Sequence, residues 1–160
     1  MAFIRKSNFE IIQILDCHHN AKNYFEVDDT IALPVSILNQ KGYTTIGSCG
    51  GHPFVVERLL DAQVEDGKQV RPLADYLPDL SNVRFVRIRT YAWQRTYIEF
   101  SDPLPYTLEP PLGWSFDSEH ICIYANYPQN MKPMQFFKMQ HFKIKALLQW
   151  VSDLNKADSQ

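Results

Sequence analysis

Cysteine and histidine occur together in the stretches Cys17-His18-His19, Cys49-x-x-His52 and His120-x-Cys122. Thiolate and imidazole are the donors zinc prefers. A thiol is also a nucleophile where a base or a positive field favours its thiolate. The densest arrangement is Ser48-Cys49-Gly50-Gly51-His52, and it supports three readings. As half of a metal site, Cys49 and His52 chelate one ion, and Cys17 with His18 or His19 supplies the rest, a soft, thiolate-rich set suited to zinc. As a catalytic stretch, Cys49 attacks with a histidine as base while the amides of Gly50 and Gly51 hold the developing anion. The phosphatase spacing C-x5-R is not met, because position 55 is valine. As a plain turn, the glycines supply positive φ, Cys49 is a small buried residue and His52 closes the loop.

The elements around this loop are what must position it. From Val27 to Gly42 the chain carries helix punctuation at both ends. Asp29 or Thr30 offers a cap, Ile31, Val35 and Leu38 share a face, Pro34 falls in the first turn or causes a small kink, Lys41 suits the negative end, and Gly42 suits the left-handed position that follows. This predicts a helix over about 30–41. Tyr43 to Gly47 reads as a strand, which puts the Ser48–His52 loop at a strand end, where α/β folds place ligands. Asn8 to Leu15 is a further strand expectation that leads into Cys17-His18-His19. The segments 84–90 and 95–100 read as a hairpin centred on Trp93, with Val86 opposite Phe100, Ile88 opposite Ile98 and Arg87 opposite Glu99. His120 to Tyr124 alternates like a strand, so His120 and Cys122 fall on one face. Met134, Phe137, His141, Ile144, Leu148 and Val151 recur every three or four residues, which predicts a long helix over 133–154 with that stripe inward.

Length and charge bound the rest. A chain of 160 residues that is 45% hydrophobic fits one core. Helices and strands without a βαβ rhythm point to a single α+β domain over 1–160 with a largely antiparallel sheet, and to 53–82 as an embellishment on it. A net charge of −2 gives no global field for phosphate backbones or anionic membranes. Arg87, Arg89, Tyr91, Trp93 and Tyr97 do interleave cations and aromatics as single-strand platforms do, though Glu99 opposes that use. No run approaches the ~20 apolar residues of a membrane span, the N-terminus lacks a signal-peptide pattern, and three cysteines make no disulfide framework. A cytoplasmic location is the expectation.

The run Ile31 to Thr45, with Leu38-Asn39-Gln40-Lys41-Gly42-Tyr43-Thr44-Thr45 followed by Ser48-Cys49-Gly50-Gly51-His52, resembles a family of small uncharacterised proteins of Gram-positive bacteria and their phages. Their pattern is Leu-Asn-x-Lys-Gly-Tyr-x-Thr and then Ser-Cys-x-Gly-His. That resemblance implies a helix-strand-turn unit and carries no activity with it. The stretch Thr44 to His52 is also similar, more distantly, to the Thr-Thr-Ser-Ser-Cys-Ser-Gly-Arg motif of the wybutosine-synthesis tRNA methyltransferase family. This implies S-adenosylmethionine and tRNA as ligands, although His52 replaces the arginine whose forked donors suit phosphate or carboxylate. The functional expectations are therefore a ligand- or metal-binding domain built on Ser48, Cys49, Gly50, Gly51 and His52, a methyltransferase-like protein, or a protein-interaction module. The last would use Trp93 or Trp114, with a homo-oligomer as one form of it.

Overall fold

The computed structural model describes residues 1–12, 21–64, 70–71, 83–129 and 131–157, with backbone alone for residue 21 and for the described part of 53–92. The class is α+β, as expected: among the described residues every strand pairing is antiparallel, with a short α-helix and a long one beside the strands. In chain order the strands are β1 (Ala2–Arg5), β2 (Ile11–Ile12), β3 (Tyr24–Val27), β4 (Thr45–Cys49), β5 (Pro53–Val64), β6 (Val70–Arg71), β7 (Val83–Trp93), β8 (Thr96–Phe100), β9 (Ser115–Phe116) and β10 (Cys122–Ala125). The helices are α1 (Ala32–Gln40) and α2 (Pro133–Asp153). The sheets run β2-β1-β3, β4-β8-β10-β9 and β6-β5-β7.

Helix α1 follows a short 3-10 turn, Asp29–Ile31. Ile31, Val35 and Leu38 are buried together as their spacing predicts, Pro34 sits in the first turn, and Gly42 takes φ +93° just past the end. The caps differ from expectation. Neither Asp29 nor Thr30 caps the turn with its side chain; the Asp29 carboxylate instead accepts from the N-terminal ammonium at 2.7 Å. Lys41 does suit a negative helix end, but that of α2: its ammonium donates to the carbonyls of Val151, Ser152 and Leu154 at 2.9, 2.7 and 2.5 Å.

Helix α2 keeps its expected span, while its buried face is turned from the expected stripe, of which Val151 alone is fully buried. Phe136, Gln140, Leu147 and Val151 face inward, whereas Met134 and Phe137 are 68% and 50% exposed. The polar residue at 140 is buried because it has hydrogen-bond partners inside, and an apolar count along the sequence passes over such a position.

The expected hairpin between 84–90 and 95–100 does not form. β7 pairs with β5, placing Arg87 opposite Leu59 and Val86 opposite Asp61. β8 pairs with β4 and β10. At the junction Trp93 stacks on Phe136 with ring centroids 4.3 Å apart, and Thr96 is fully buried. The chain thus leaves one sheet and enters another instead of turning back on itself. Trp93 and Tyr97 consequently belong to different sheets, so the interleaved nucleic-acid face does not assemble as read. Phe9 has φ +59°, which breaks the expected strand over 8–15 and leaves Ile11–Ile12 as its described part; its last residues, like 65–69 and 72–82 of the expected embellishment, lie outside the described residues.

The main core joins β1, β3, α1, β8, β10 and α2 through residues such as Ile4, Val27, Leu38, Ile98, Ile123 and Leu147. A second cluster holds Trp93, Tyr127, Met131 and Phe136. Trp114 is buried too, and its indole N–H donates to the Lys143 carbonyl at 2.9 Å. Both tryptophans offered as an exposed contact surface are therefore internal packing residues. Among the described residues no helix is long and apolar enough to cross a membrane.

Candidate metal centre

Strand β4 runs two residues further than its sequence suggests, with an irregularity between Thr45 and Gly47, so that Ser48 pairs with Ile98 and Cys49 with Tyr97. Cys49 is thus the last residue of a strand paired with the central β8, and Gly50-Gly51-His52 is the loop that leaves it. Gly50 is required by proximity, since a Cβ there would collide with the Thr30 hydroxyl. Gly51 is required by conformation, with φ +82°, and a Cβ would also lie 2.8 Å from Thr96 Oγ1.

The loop's inward-facing carbonyls are tied down from below. Gln140 Nε2 donates to the Gly50 and Gly51 carbonyls at 2.6 and 3.0 Å. Thr96 Oγ1 donates to the Gly50 carbonyl at 2.9 Å and lies 2.6 Å from the Tyr127 hydroxyl. A hydroxyl has one proton to give, so Tyr127 is the donor to Thr96. Tyr127 in turn packs on Phe136, and the Gln94 amide donates to the His52 carbonyl at 3.2 Å. The second hydrophobic cluster is in effect the foundation of this loop.

At the surface of this platform Asp28, Cys49 and His52 converge, each offering a donor atom, with all three atoms within 4.8 Å of one another. Asp28 follows directly on β3, and its carboxylate turns away from the helix start it precedes. Its Oδ2 accepts from the Gly50 amide at 2.6 Å and lies 3.3 Å from His52 Nε2. Cys49 is buried, Asp28 is half-buried and His52 is exposed. Burial pushes the Cys49 thiol above its ordinary 9.0; the Gly51 amide that donates to it draws the value down, and the neighbouring Asp28 carboxylate pushes it up again. A thiol so placed is protonated at neutral pH. The amides that an oxyanion would need are already engaged, Gly50 by Asp28 and Gly51 by Cys49. Both facts weigh against the nucleophile reading. A divalent cation reverses them, because it favours the thiolate and relieves its repulsion by the carboxylate.

Of the residues singled out in the sequence, Cys49 and His52 come together, joined by Asp28. Ser48 lies on the strand beside them, and Cys17, His18 and His19 lie outside the described residues. Asp28 was missed because an acid before a helix reads as a cap; the available signal was its place one residue after the Tyr24–Val27 strand. His141 is exposed on α2 and takes no part. His120 and Cys122 do not share a strand face. His120 precedes β10 with φ +55°, its ring 4.3 Å from that of Tyr106 and 4.5 Å from that of Phe116, while the buried Cys122 thiol points to the Ile123 carbonyl. Across the whole chain, no protein-family model, curated protein or solved structure matches.

Proposed function

We propose that this protein binds a divalent transition-metal ion, zinc by the chemistry of its donors, through Asp28 Oδ2, Cys49 Sγ and His52. The observation that carries the reading is the convergence of a thiol, an imidazole and a carboxylate within 4.8 Å. A tetrahedral zinc ion holds such donors roughly 3.5 Å apart, and the Asp28–His52 approach of 3.3 Å is already at that spacing. The other distances need only a small contraction at a loop whose one exposed ligand is His52. The Gly50 amide on Asp28 acts as the outer partner that orients a metal-binding carboxylate. For the fourth position we propose Cys17, with His18 or His19 as the alternative, on donor type alone.

Cobalt(II) substitution tests this reading. The thiolate of Cys49 should contribute to a sulfur-to-cobalt charge-transfer band that loses about half its intensity or more in Cys49→Ser and persists, with altered ligand-field bands, in Asp28→Asn. Cys17→Ser should weaken binding without abolishing that band. A cobalt spectrum identical in wild type and Cys49→Ser would remove Cys49, and the reading with it.

A further inference from the structure

The fold buries only part of the stripe that the sequence presents most strongly on α2: Val151 is internal and Ile144 packs against the main core. Met134, Phe137, His141, Ile144 and Leu148 follow one another at spacings of three and four and form a band along the helix, beside the inward face of Phe136, Gln140, Leu147 and Val151. Met134, Phe137 and His141 are exposed, and Ile144 and Leu148 half-buried. A single exposed apolar side chain calls for no explanation, but a helical seam of them does. The band is not flat. Phe137, Gln140, His141 and Ile144 border a recess of about 220 Å³ that Thr30 closes from the start of α1. Along its outer edge the helix carries exposed Lys138 and Lys145, and from Lys132 to Lys145 there is no acidic residue, in a chain whose net charge is −2.

We propose that this band is a docking groove for an acidic amphipathic helix of another protein. One apolar side chain of that helix fills the recess between Phe137, Ile144 and Thr30, and its carboxylates meet Lys138 and Lys145. The spacing of the band is that of a helix–helix seam, where anchors at i, i+3, i+4 and i+7 engage. The lysines decide the occupant. In an antiparallel two-fold pair of copies the lysine edges fall on the same side of the seam, which repels. A lipid surface would cover the exposed Met134 and Phe137 and leave the recess beside Thr30 without a side chain to fill it.

Selection of a random peptide display library against the full chain, followed by titration of the enriched peptides, tests the proposal. The enriched sequences should share apolar residues at helical spacing with Asp or Glu beside them. Phe137→Asp should weaken their binding at least tenfold, and the double change Lys138→Glu, Lys145→Glu should weaken it by a similar factor. Should Phe137→Asp lower the thermal midpoint, Met134→Asp, at a position 68% exposed, serves in its place. Three results would overturn the proposal: no enrichment above background, peptides indifferent to both apolar variants, or a face claimed by another occupant. The last would appear as a concentration-dependent mass, or as binding to phosphatidylserine–phosphatidylcholine vesicles, that Phe137→Asp abolishes.

Discussion

Three side chains of different chemistry meet at the end of β4, and each brings a separate consequence. Because burial and Asp28 hold the Cys49 thiol above its ordinary 9.0, loading the ion must displace a proton from sulfur. Metal affinity should then rise about tenfold per pH unit through the neutral range. Titration with zinc in two buffers of different ionisation enthalpy should register proton release on binding, and release should fall by close to one proton per ion in Cys49→Ser. Gly51 offers a test of the loop itself. At φ +82°, with Thr96 and Gln94 beside it, an alanine is strained and crowded at once. Gly51→Ala should cost about 1–3 kcal/mol in denaturant unfolding. A neutral substitution would mean that the backbone does not hold this conformation.

At the scale of elements, α2 holds the site from beneath. Gln140 supplies the Gly50 and Gly51 carbonyls with their side-chain donor from the helix, and Phe136 carries Trp93 and Tyr127 on its faces. Gln140→Leu should cost about 1–3 kcal/mol by leaving buried carbonyls underpaired and should also weaken metal binding. Phe136→Ala should cost about 3–5 kcal/mol through the cavity it opens. Calorimetry with and without zinc separates the two effects, since a merely structural contact would leave the affinity unchanged. These same elements show what was legible in the sequence. α1 and α2 were, because apolar spacing and the glycine that ends α1 are local signals, although the expected caps are used elsewhere. The inward face of α2 was not, because Gln140 is buried for the sake of partners ninety and eighty-nine residues away. The pairing of β7 with β5 instead of β8 was hidden for a related reason: complementary charges on adjacent segments suggest a hairpin, whereas Trp93 and Thr96 commit the junction to Phe136, Gly50 and Tyr127. In the site, the spacing C-x-x-H made Cys49 and His52 legible, while Asp28 arrives from another strand.

At the scale of the whole molecule, Cys49, Cys122, Tyr97 and Tyr127 are all pushed above their ordinary values, in each case first by burial. The fold therefore keeps protons that the unfolded chain gives up. Stability is fully present below the ordinary thiol value of 9.0 and should fall as pH rises through and beyond it. Urea midpoints across this range should drop, and Cys122→Ala should flatten the decline; a midpoint that rises with alkalinity would contradict the burial of these groups. The account as a whole turns on whether Asp28, Cys49 and His52 form one centre. Elemental analysis of protein reconstituted with zinc and freed of excess by gel filtration measures that directly. One equivalent should remain on the wild type, with a large loss in each of Cys49→Ser, His52→Ala and Asp28→Asn. A wild type that emerges free of metal, or a triple variant that still retains one equivalent, would contradict it.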